Sequence, residues 1–257
     1  MPLAAPTSMR LPAPRLRSGL FGALVLAALC AGCAPAPGQT PRAPGAAGES
    51  YFPMIDGARW VYEVHAGFQK SRLEVTARGV LEVSGSPTPL WIVQEQSAGA
   101  PYGLDEDGLA GYLVRDGYVA RLSFLSEDAD GHVRLVSSDP TWVIPVDPRP
   151  GQRWEQTTHV FTSPESRGGE QHWQAEVEQV GAVRVPAGTF DDVLLVRTRY
   201  LDPTVSSSPL LTYEDYYARG VGLVRSVSHN HQAWFWMRTV DQELVAAQLE
   251  TPVTEGR

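Results

Sequence analysis

The sequence predicts an all-β protein, built as a large antiparallel curved sheet or as an open or half β-barrel, with little helix. Short runs rich in β-branched and aromatic residues recur along the chain, and Gly, Pro and Ser separate them. Asp-Gly pairs, which favour the tight turns of β-hairpins, stand at 107–108, 116–117 and 130–131. A sparse internal repeat over 51–145 and 146–250 is consistent with two duplicated β-meander halves.

The first 32 residues have the organisation of an export signal. Three arginines precede an apolar run over 19–29, which is much shorter than the ~20 residues of a membrane-spanning helix. The segment 29–33, Leu-Cys-Ala-Gly-Cys, resembles the lipobox of bacterial lipoproteins. The resemblance implies that residues 1–32 are removed and that Cys33 carries a lipid anchor. A cleaved signal without lipid and a retained anchor helix are the alternatives.

The two cysteines limit the chemistry of the mature chain. Cys30 leaves with the signal, and acylation consumes the thiol of Cys33. We therefore expect no disulfide, no thiol catalysis and no cysteine-based metal or iron–sulfur site, so that the fold depends on its hydrophobic core.

The remaining chain divides into a linker, a domain and a tail. Residues 33–50 comprise the lipidated cysteine and a flexible segment rich in Pro, Ala and Gly, which has no apolar periodicity. A single β-rich domain is predicted over 51–250, and 251–257 is predicted to be a disordered tail.

The residue after the lipidated cysteine bears on the cellular address. Enterobacterial lipoproteins with an aspartate there stay at the inner membrane, whereas this chain has Ala34. The resemblance therefore implies an exported protein that is lipid-anchored to the cell envelope, at the outer membrane and facing the periplasm.

The charge composition excludes one class of partner. The formal net charge is −8, from 21 basic and 29 acidic residues, and Lys70 is the single lysine. Without a basic cluster the chain lacks the surface that a phosphate backbone requires, so we expect no nucleic-acid partner.

Most of the predicted secondary structure consists of strands. They are expected at 60–64, 73–77, 80–83, 90–94, 193–198, 222–227 and 233–237. Only 241–250 has a pattern that would fit a helix, and there 243–245 could instead form the last strand.

Three motifs resemble those of a known group of proteins. They are Gly-Ala-Arg-Trp-Val-Tyr at 57–62, Val-Pro-Ala-Gly-Thr-Phe at 185–190 and Tyr-Tyr-Ala-Arg-Gly-Val-Gly-Leu-Val at 216–224. Together they are similar to a widespread group of uncharacterised bacterial secreted proteins and lipoproteins. The resemblance implies a fold over nearly the whole mature chain, and the group has no agreed activity. The Gly-x-Arg-Trp of the first motif recurs at 151–154, which is the clearest trace of the internal repeat.

Several polar groups are candidate sites. His229 and His231 would share one face of a strand and could begin a metal site, but no third ligand is identifiable. The acidic stretches 105–108 and 128–131 lack the alternating ligands of an EF-hand loop, so hairpin turns explain them better. We expect no metal and no cofactor.

Catalysis is not the expected role. Asp191-Asp192 and Glu214-Asp215 could supply paired carboxylates for glycoside hydrolysis. The sequence contains no Gly-x-Ser-x-Gly nucleophile elbow, no P-loop and no dinucleotide fingerprint.

Tryptophan supplies the remaining signal, with seven residues in the chain. Trp234 and Trp236 would share one strand face and could contact an apolar ligand inside a curved sheet. The sequence therefore favours a non-catalytic module that binds an apolar small molecule or lipid. The alternative is a structural or assembly partner of envelope proteins, which would use sheet edges and the aromatic stretch 213–217. An enzyme with a carboxylate pair comes third.

Overall fold

The computed structural model describes residues 50–98, 108–122, 125–135, 139–163, 166–202, 208–231 and 239–249, with the side chains of 160–169 excepted. Within these ranges the secondary structure consists of fourteen strands and no helix, which confirms the all-β prediction. No helix in the described part of the chain has the length and apolar character of a membrane span.

The strands follow one another along the chain as a meander. They are β1 Arg59–Ala66, β2 Gln69–Leu81, β3 Leu90–Ala98, β4 Gly108–Arg115, β5 Tyr118–Leu122, β6 Leu125–Glu127, β7 Val133–Leu135, β8 Thr141–Pro145, β9 Arg153–Ser163, β10 Ser166–Val185, β11 Gly188–Leu201, β12 Leu211–Ala218, β13 Gly222–Asn230 and β14 Thr239–Gln248.

Twelve of the strands form one antiparallel sheet in the order β8-β5-β4-β3-β2-β1-β14-β13-β12-β11-β10-β9. The first and last strands of the chain pair with each other, from Arg59 opposite Gln248 to Ala66 opposite Val240. This pairing joins the two ends of the meander, so the sheet curls into a nearly closed barrel.

The two outer strands of the sheet, β8 and β9, meet at a seam that side chains bridge. Gln156 accepts a hydrogen bond from the Trp142 backbone N–H at 2.6 Å and donates one to the Pro140 carbonyl at 3.1 Å. The backbone N–H of His159 donates to the Asp139 carboxylate at 3.1 Å. These bonds occupy part of each strand edge, which hinders pairing with other chains there.

The small sheet of β6 and β7 packs on the outer face of the barrel over β3, β4 and β5. A second core lies beneath it and consists of Val83, Leu90, Ile92, Leu122 and Val133. Because β3 is covered on both faces, its first four residues are all buried, and this explains the continuous apolar run at 90–93.

Two of the predicted elements differ from the observed strands or had an alternative that the structure decides. The strand predicted at 73–77 and the first two residues of the strand predicted at 80–83 belong to one strand, β2, whose register shifts at Gly79. Gly79 has φ +85°, and a Cβ there would lie 2.6 Å from a carboxylate oxygen of Asp56, so glycine bends the strand without ending it. The segment 241–250 lies mostly in β14, and the strand alternative is the correct one.

Two of the three predicted Asp-Gly turns lie fully within the described residues. Asp116 and Gly117 both have positive φ, at 53° and 81°, and join β4 to β5 as a tight hairpin. Asp130-Gly131 lies in the β6–β7 turn. Asp107 and the predicted strand 233–237 lie outside the described residues.

The barrel has two unlike rims. At one rim, here called the closed rim, short turns join β4 to β5, β10 to β11 and β12 to β13, and the β12–β13 turn is hydrogen-bonded to Ser50 at the start of the segment 50–58. The opposite rim consists of the ends of β1, β3, β5, β9, β11 and β13 and the starts of β2, β4, β8, β10, β12 and β14. The closed rim is filled from inside by Tyr51 and Phe52, which are 4% and 7% exposed.

Candidate functional site

The inner face of β3, β4 and β5 carries aromatic and charged side chains next to one another. Tyr112 is the register partner of both Trp91 and Arg121, so the three side chains project from the same face of adjacent strands. The rings of Trp91 and Tyr112 lie 5.8 Å apart in an edge-to-face arrangement. Arg121 donates to Glu95 at 3.0 Å, and both side chains are largely buried.

The wall formed by β12, β13 and β14 carries a second polar set. Asp215 is the register partner of Ser226, which is in turn the partner of Gln242. The Ser226 hydroxyl donates to the Asp215 carboxylate at 2.6 Å. Tyr213 and Tyr217 flank Asp215 on the same face of β12, because alternate residues of a strand point the same way.

The two walls face each other across the barrel interior. The Phe52 ring lies between them, 5.1 Å from the ring of Tyr112 and 6.5 Å from the ring of Tyr217. Burial raises the pKa of Tyr217, and the Asp215 carboxylate adds to this rise while the Arg121 guanidinium opposes it. We call this set the lumen cluster, and its members are Trp91, Glu95, Tyr112, Arg121, Tyr213, Asp215, Tyr217, Ser226 and Gln242.

Five polar atoms of the lumen cluster are buried without a hydrogen-bond partner among the described residues. They are Trp91 Nε1, the Tyr112 hydroxyl, Arg121 Nε, the Tyr217 hydroxyl and Gln242 Nε2. The Arg121 guanidinium lies close enough to the Tyr112 hydroxyl to lower its pKa through both its charge and a weak hydrogen-bond interaction, but the geometry falls short of a full hydrogen bond. An unsatisfied buried polar group costs roughly 1–3 kcal/mol, so five in one place are unusual for a purely structural core.

The charges of the lumen cluster nearly cancel. Glu95 and Arg121 form an ion pair whose side chains are 11% and 14% exposed. Burial raises the pKa of Asp215 to about 7, although the hydrogen bond from Ser226 works in the opposite direction. Near neutral pH the cluster therefore has no cation without a partner.

A separate polar group fixes the start of the domain at the closed rim. The Tyr51 hydroxyl donates to Asp192 at 2.6 Å, and Arg219 donates to the other oxygen of Asp192, also at 2.6 Å. The Arg219 guanidinium lies 4.4 Å from the centre of the Tyr51 ring, and the Gly220 N–H donates to the Ser50 carbonyl at 2.8 Å. This group, the latch, holds Tyr51 and hence Phe52 in the barrel mouth.

The two predicted carboxylate pairs are not pairs in space. Neighbouring residues of a strand face opposite sides, so Asp215 points inward while Glu214 lies on the outer face and accepts from Arg197 at 3.0 Å. Asp192 belongs to the latch, and its neighbour Asp191 projects from the opposite face of β11. The two carboxylates of each predicted pair therefore do not face a common site.

The predicted histidine pair lies at the surface. The rings of His229 and His231 are 6.5 Å apart, and each has a threonine hydroxyl as neighbour: Thr239 at 3.2 Å for His229 and Thr212 at 3.1 Å for His231. Within the described residues this pair is not part of any group of three metal-ligating side chains.

The described part of the chain has one such group, which consists of Asp128, Asp130 and His132, all exposed. One oxygen of Asp128 accepts the backbone N–H groups of Asp130 and His132 at 3.0 and 2.9 Å. The acidic residues therefore shape a hairpin turn, as the sequence reading expected.

The aromatic stretch 213–217 does not form a surface patch. Tyr213 and Tyr217 are 5% and 0% exposed and belong to the barrel interior, and only Tyr216 lies on the outer face. The expectation of an exposed docking patch there was wrong, because the alternation of β12 turns these tyrosines inward. Cys33, Trp234 and Trp236 lie outside the described residues, and their assigned roles stay predictions.

Sequence reasoning missed Glu95, Tyr112 and Arg121. A signal existed, because Glu95 occurs at an inward position of β3, in phase with the buried Trp91 and Val93. A charged residue in phase with core positions is rare unless it is paired. Its partner Arg121 could not be chosen from sequence without the strand order.

Three solved structures are similar to the chain. One is a candidate lipoprotein from Parabacteroides distasonis, with 15% identity and a TM-score of 0.46 over 78% of this chain and 99% of the other. The second is a candidate exported protein with a YmcC-like fold from Bacteroides fragilis, with 12% identity and a TM-score of 0.44 over 78% and 100%. The third is a β-barrel-like protein of the domain of unknown function DUF1849 from Brucella abortus, with 10% identity and a TM-score of 0.35 over 76% and 98%. Neither the family models nor the curated proteins compared with the chain match it. At these identities and TM-scores the likeness carries no information on ligand or activity.

Proposed function

We propose that this protein is an exported lipoprotein of the bacterial envelope, anchored through Cys33 at the outer membrane, whose barrel binds an amphiphilic small molecule without transforming it. The observation that carries the proposal is the lumen cluster, with its five unpartnered polar atoms on facing walls of one barrel. The anchor rests on the lipobox resemblance at 29–33.

The unpartnered atoms favour a ligand with a polar part. Tyr112, Tyr217, Trp91 and Gln242 are each at most 4% exposed, so bulk water does not satisfy them. A bound molecule that hydrogen-bonds to them would recover most of the free energy that their burial costs. A wholly apolar ligand would leave that cost in place, and this changes the ligand expected from sequence.

The surroundings of the cluster favour an apolar part as well. The rings of Phe52, Trp60 and Trp91 are buried and pack edge-to-face, with Trp91 6.0 Å from Phe52 and 6.5 Å from Trp60. Sites for small molecules combine such aromatic walls with a few convergent polar groups. An amphiphile, such as a lipid or a lipid fragment, has both.

The seam supports binding over the alternative of an envelope scaffold that docks along free sheet edges. Gln156 occupies the edge of β8 by bonding to Trp142 N–H and the Pro140 carbonyl. An added strand would have to displace these bonds before it could pair.

Native mass spectrometry of the Cys33→Ser chain, purified without detergent, tests the proposal. We expect an additional mass of lipid size that is lost on denaturation. Gln242→Leu should reduce its occupancy, whereas Gln174→Leu should not, because Gln174 is exposed on the outer face. A chain without bound mass that also fails to bind neutral, anionic and cationic amphiphiles in a thermal-shift assay would refute a binding function.

A further inference from the structure

We infer that the lumen cluster recognises an uncharged hydrogen-bond acceptor, such as the ester carbonyl of an acylglycerol, which accepts from the hydroxyls of Tyr112 and Tyr217 on facing walls of the barrel. The inference rests on the proposed binding function and names the chemistry of the headgroup.

The unpartnered atoms of the lumen cluster are all able to donate hydrogen bonds. Trp91 Nε1, Arg121 Nε and Gln242 Nε2 can only donate hydrogen bonds, and the hydroxyls of Tyr112 and Tyr217 can donate as well. All five can therefore be satisfied by acceptor oxygens. A cationic headgroup brings donors or bare positive charge and satisfies none of the three nitrogen atoms.

The buried charges of the lumen cluster disfavour an anionic headgroup. The positive charge of Arg121 is already matched by Glu95 at 3.0 Å, and the remaining ionisable acid on the inner face is Asp215. A carboxylate or phosphate would enter a buried site that has two acidic side chains and one cation. Burying an anion without a counter-charge costs several kcal/mol, so an anionic headgroup is disfavoured although it offers acceptors.

The positions of Tyr112, Tyr217 and Phe52 indicate where the carbonyl of a ligand would lie. Tyr112 belongs to β4 and Tyr217 to β12, and the Phe52 ring lies between the two. A carbonyl that reaches both hydroxyls would lie against this ring, with the acyl chain beside the buried aromatics. Ester and amide oxygens accept two hydrogen bonds, which matches the two hydroxyls.

Isothermal titration with three ten-carbon amphiphiles tests the inference on the Cys33→Ser chain at pH 7.5. The probes are 1-monodecanoylglycerol, decanoate and decyltrimethylammonium. We expect the neutral glyceride to bind at least about tenfold more tightly than either ion, which corresponds to about 1.4 kcal/mol. Tyr112→Phe and Tyr217→Phe should each remove most of this preference.

Tyr216→Phe is the matched control, since Tyr216 neighbours Tyr217 on the same strand but lies on the outer face. It should leave all three affinities unchanged. Both inner variants keep the aromatic ring and lose a hydroxyl that has no partner, so their urea midpoints should equal or exceed that of the parent.

The outcomes separate the two proposals. If decanoate binds as tightly as the glyceride, and Gln242→Leu weakens both, the barrel binds amphiphiles but the headgroup inference is wrong. If none of the three probes binds, and the tyrosine variants are simply more stable, water satisfies the hydroxyls and both proposals fail.

Discussion

Asp215 is the residue at which burial and ionisation conflict most directly. Its side chain is almost fully buried and is hydrogen-bonded to Ser226, and burial raises its pKa to about 7. In the unfolded chain an aspartate titrates near 4. Between these two values the folded protein holds a proton that the unfolded chain has lost, so this acid stabilises the fold at low pH and ceases to do so as pH rises through about 7.

Replacing Asp215 with asparagine isolates this contribution. Asparagine keeps the size and an acceptor for the Ser226 hydroxyl but does not titrate. We expect the free energy of unfolding of the parent, relative to Asp215→Asn, to fall by on the order of 4 kcal/mol between pH 4 and pH 8. Urea unfolding at intervals across that range measures the difference. Parallel curves for the two proteins would contradict a raised pKa at this position.

The neighbours of Asp215 in the folded protein could not be predicted from the sequence. The sequence pairs Glu214 with Asp215, yet the pleat of β12 separates them, and the neighbours of Asp215 come from elsewhere. Arg121 lies 94 residues earlier and still acts on the tyrosines of β12, as its effect on Tyr213 and Tyr217 indicates. Contacts of that range follow from the strand order, which local patterns do not encode.

At the scale of elements, prediction succeeded where strands alternate clearly. Segments 60–64, 90–94 and 193–198 lie inside β1, β3 and β11 because their apolar residues fit a pleated and half-buried surface. The twenty residues of β10 gave no such signal, since its first half is polar and contains glycine. That half is a strand because β9 pairs with it from Ser166 onward and β11 joins on the other side from His172, which is a tertiary effect.

The seam gives a prediction about an element. Gln156→Ala removes both hydrogen bonds that bridge β9 to Trp142 and Pro140 of the β8 edge. We expect faster hydrogen exchange at the Trp142 amide, by about tenfold or more, because a lost hydrogen bond of roughly 1–2 kcal/mol protects it now. The amides that pair β1 with β14 should keep their rates, since that ladder is made of backbone bonds.

Gln174→Ala serves as the control for the seam, because Gln174 also lies in a long hairpin strand but bonds only to the exposed Glu155. Unchanged exchange at Trp142 in Gln156→Ala would mean that backbone pairing, and not this side chain, closes the barrel.

The whole molecule divides into two similar runs of strands. β1 to β5 with β8 form one half of the sheet, and β9 to β14 form the other, with six strands each. Two backbone hydrogen bonds correspond between the halves: Ala77 N–H to the Ala58 carbonyl at 2.7 Å, and Val177 N–H to the Gln152 carbonyl at 2.9 Å. Each follows a glycine of positive φ in a Gly-x-Arg-Trp motif. The duplication over 51–145 and 146–250 stays a prediction, and these correspondences are the features that it would explain.

This architecture predicts where new chain termini can be placed in a circular permutant. The first and last strands pair with each other, and both ends of the described domain lie at the closed rim, so a linker of about eight Gly and Ser residues can join residue 249 to residue 50. In a permutant opened between Asp147 and Pro148, every backbone ladder stays intact, because β8 and β9 meet only through side chains. We expect it to fold as a monomer, with a free energy of unfolding within about 2 kcal/mol of the parent.

A second permutant with the same linker, opened between Arg219 and Gly220, cuts the β12–β13 hairpin and the latch, and should lose several kcal/mol more. Because the linker is common to both, their difference in urea unfolding reports only the opened site. If the first permutant were the less stable one, the connection at 146–152 would hold the barrel closed, and the two halves would not be joined chiefly through β1 and β14.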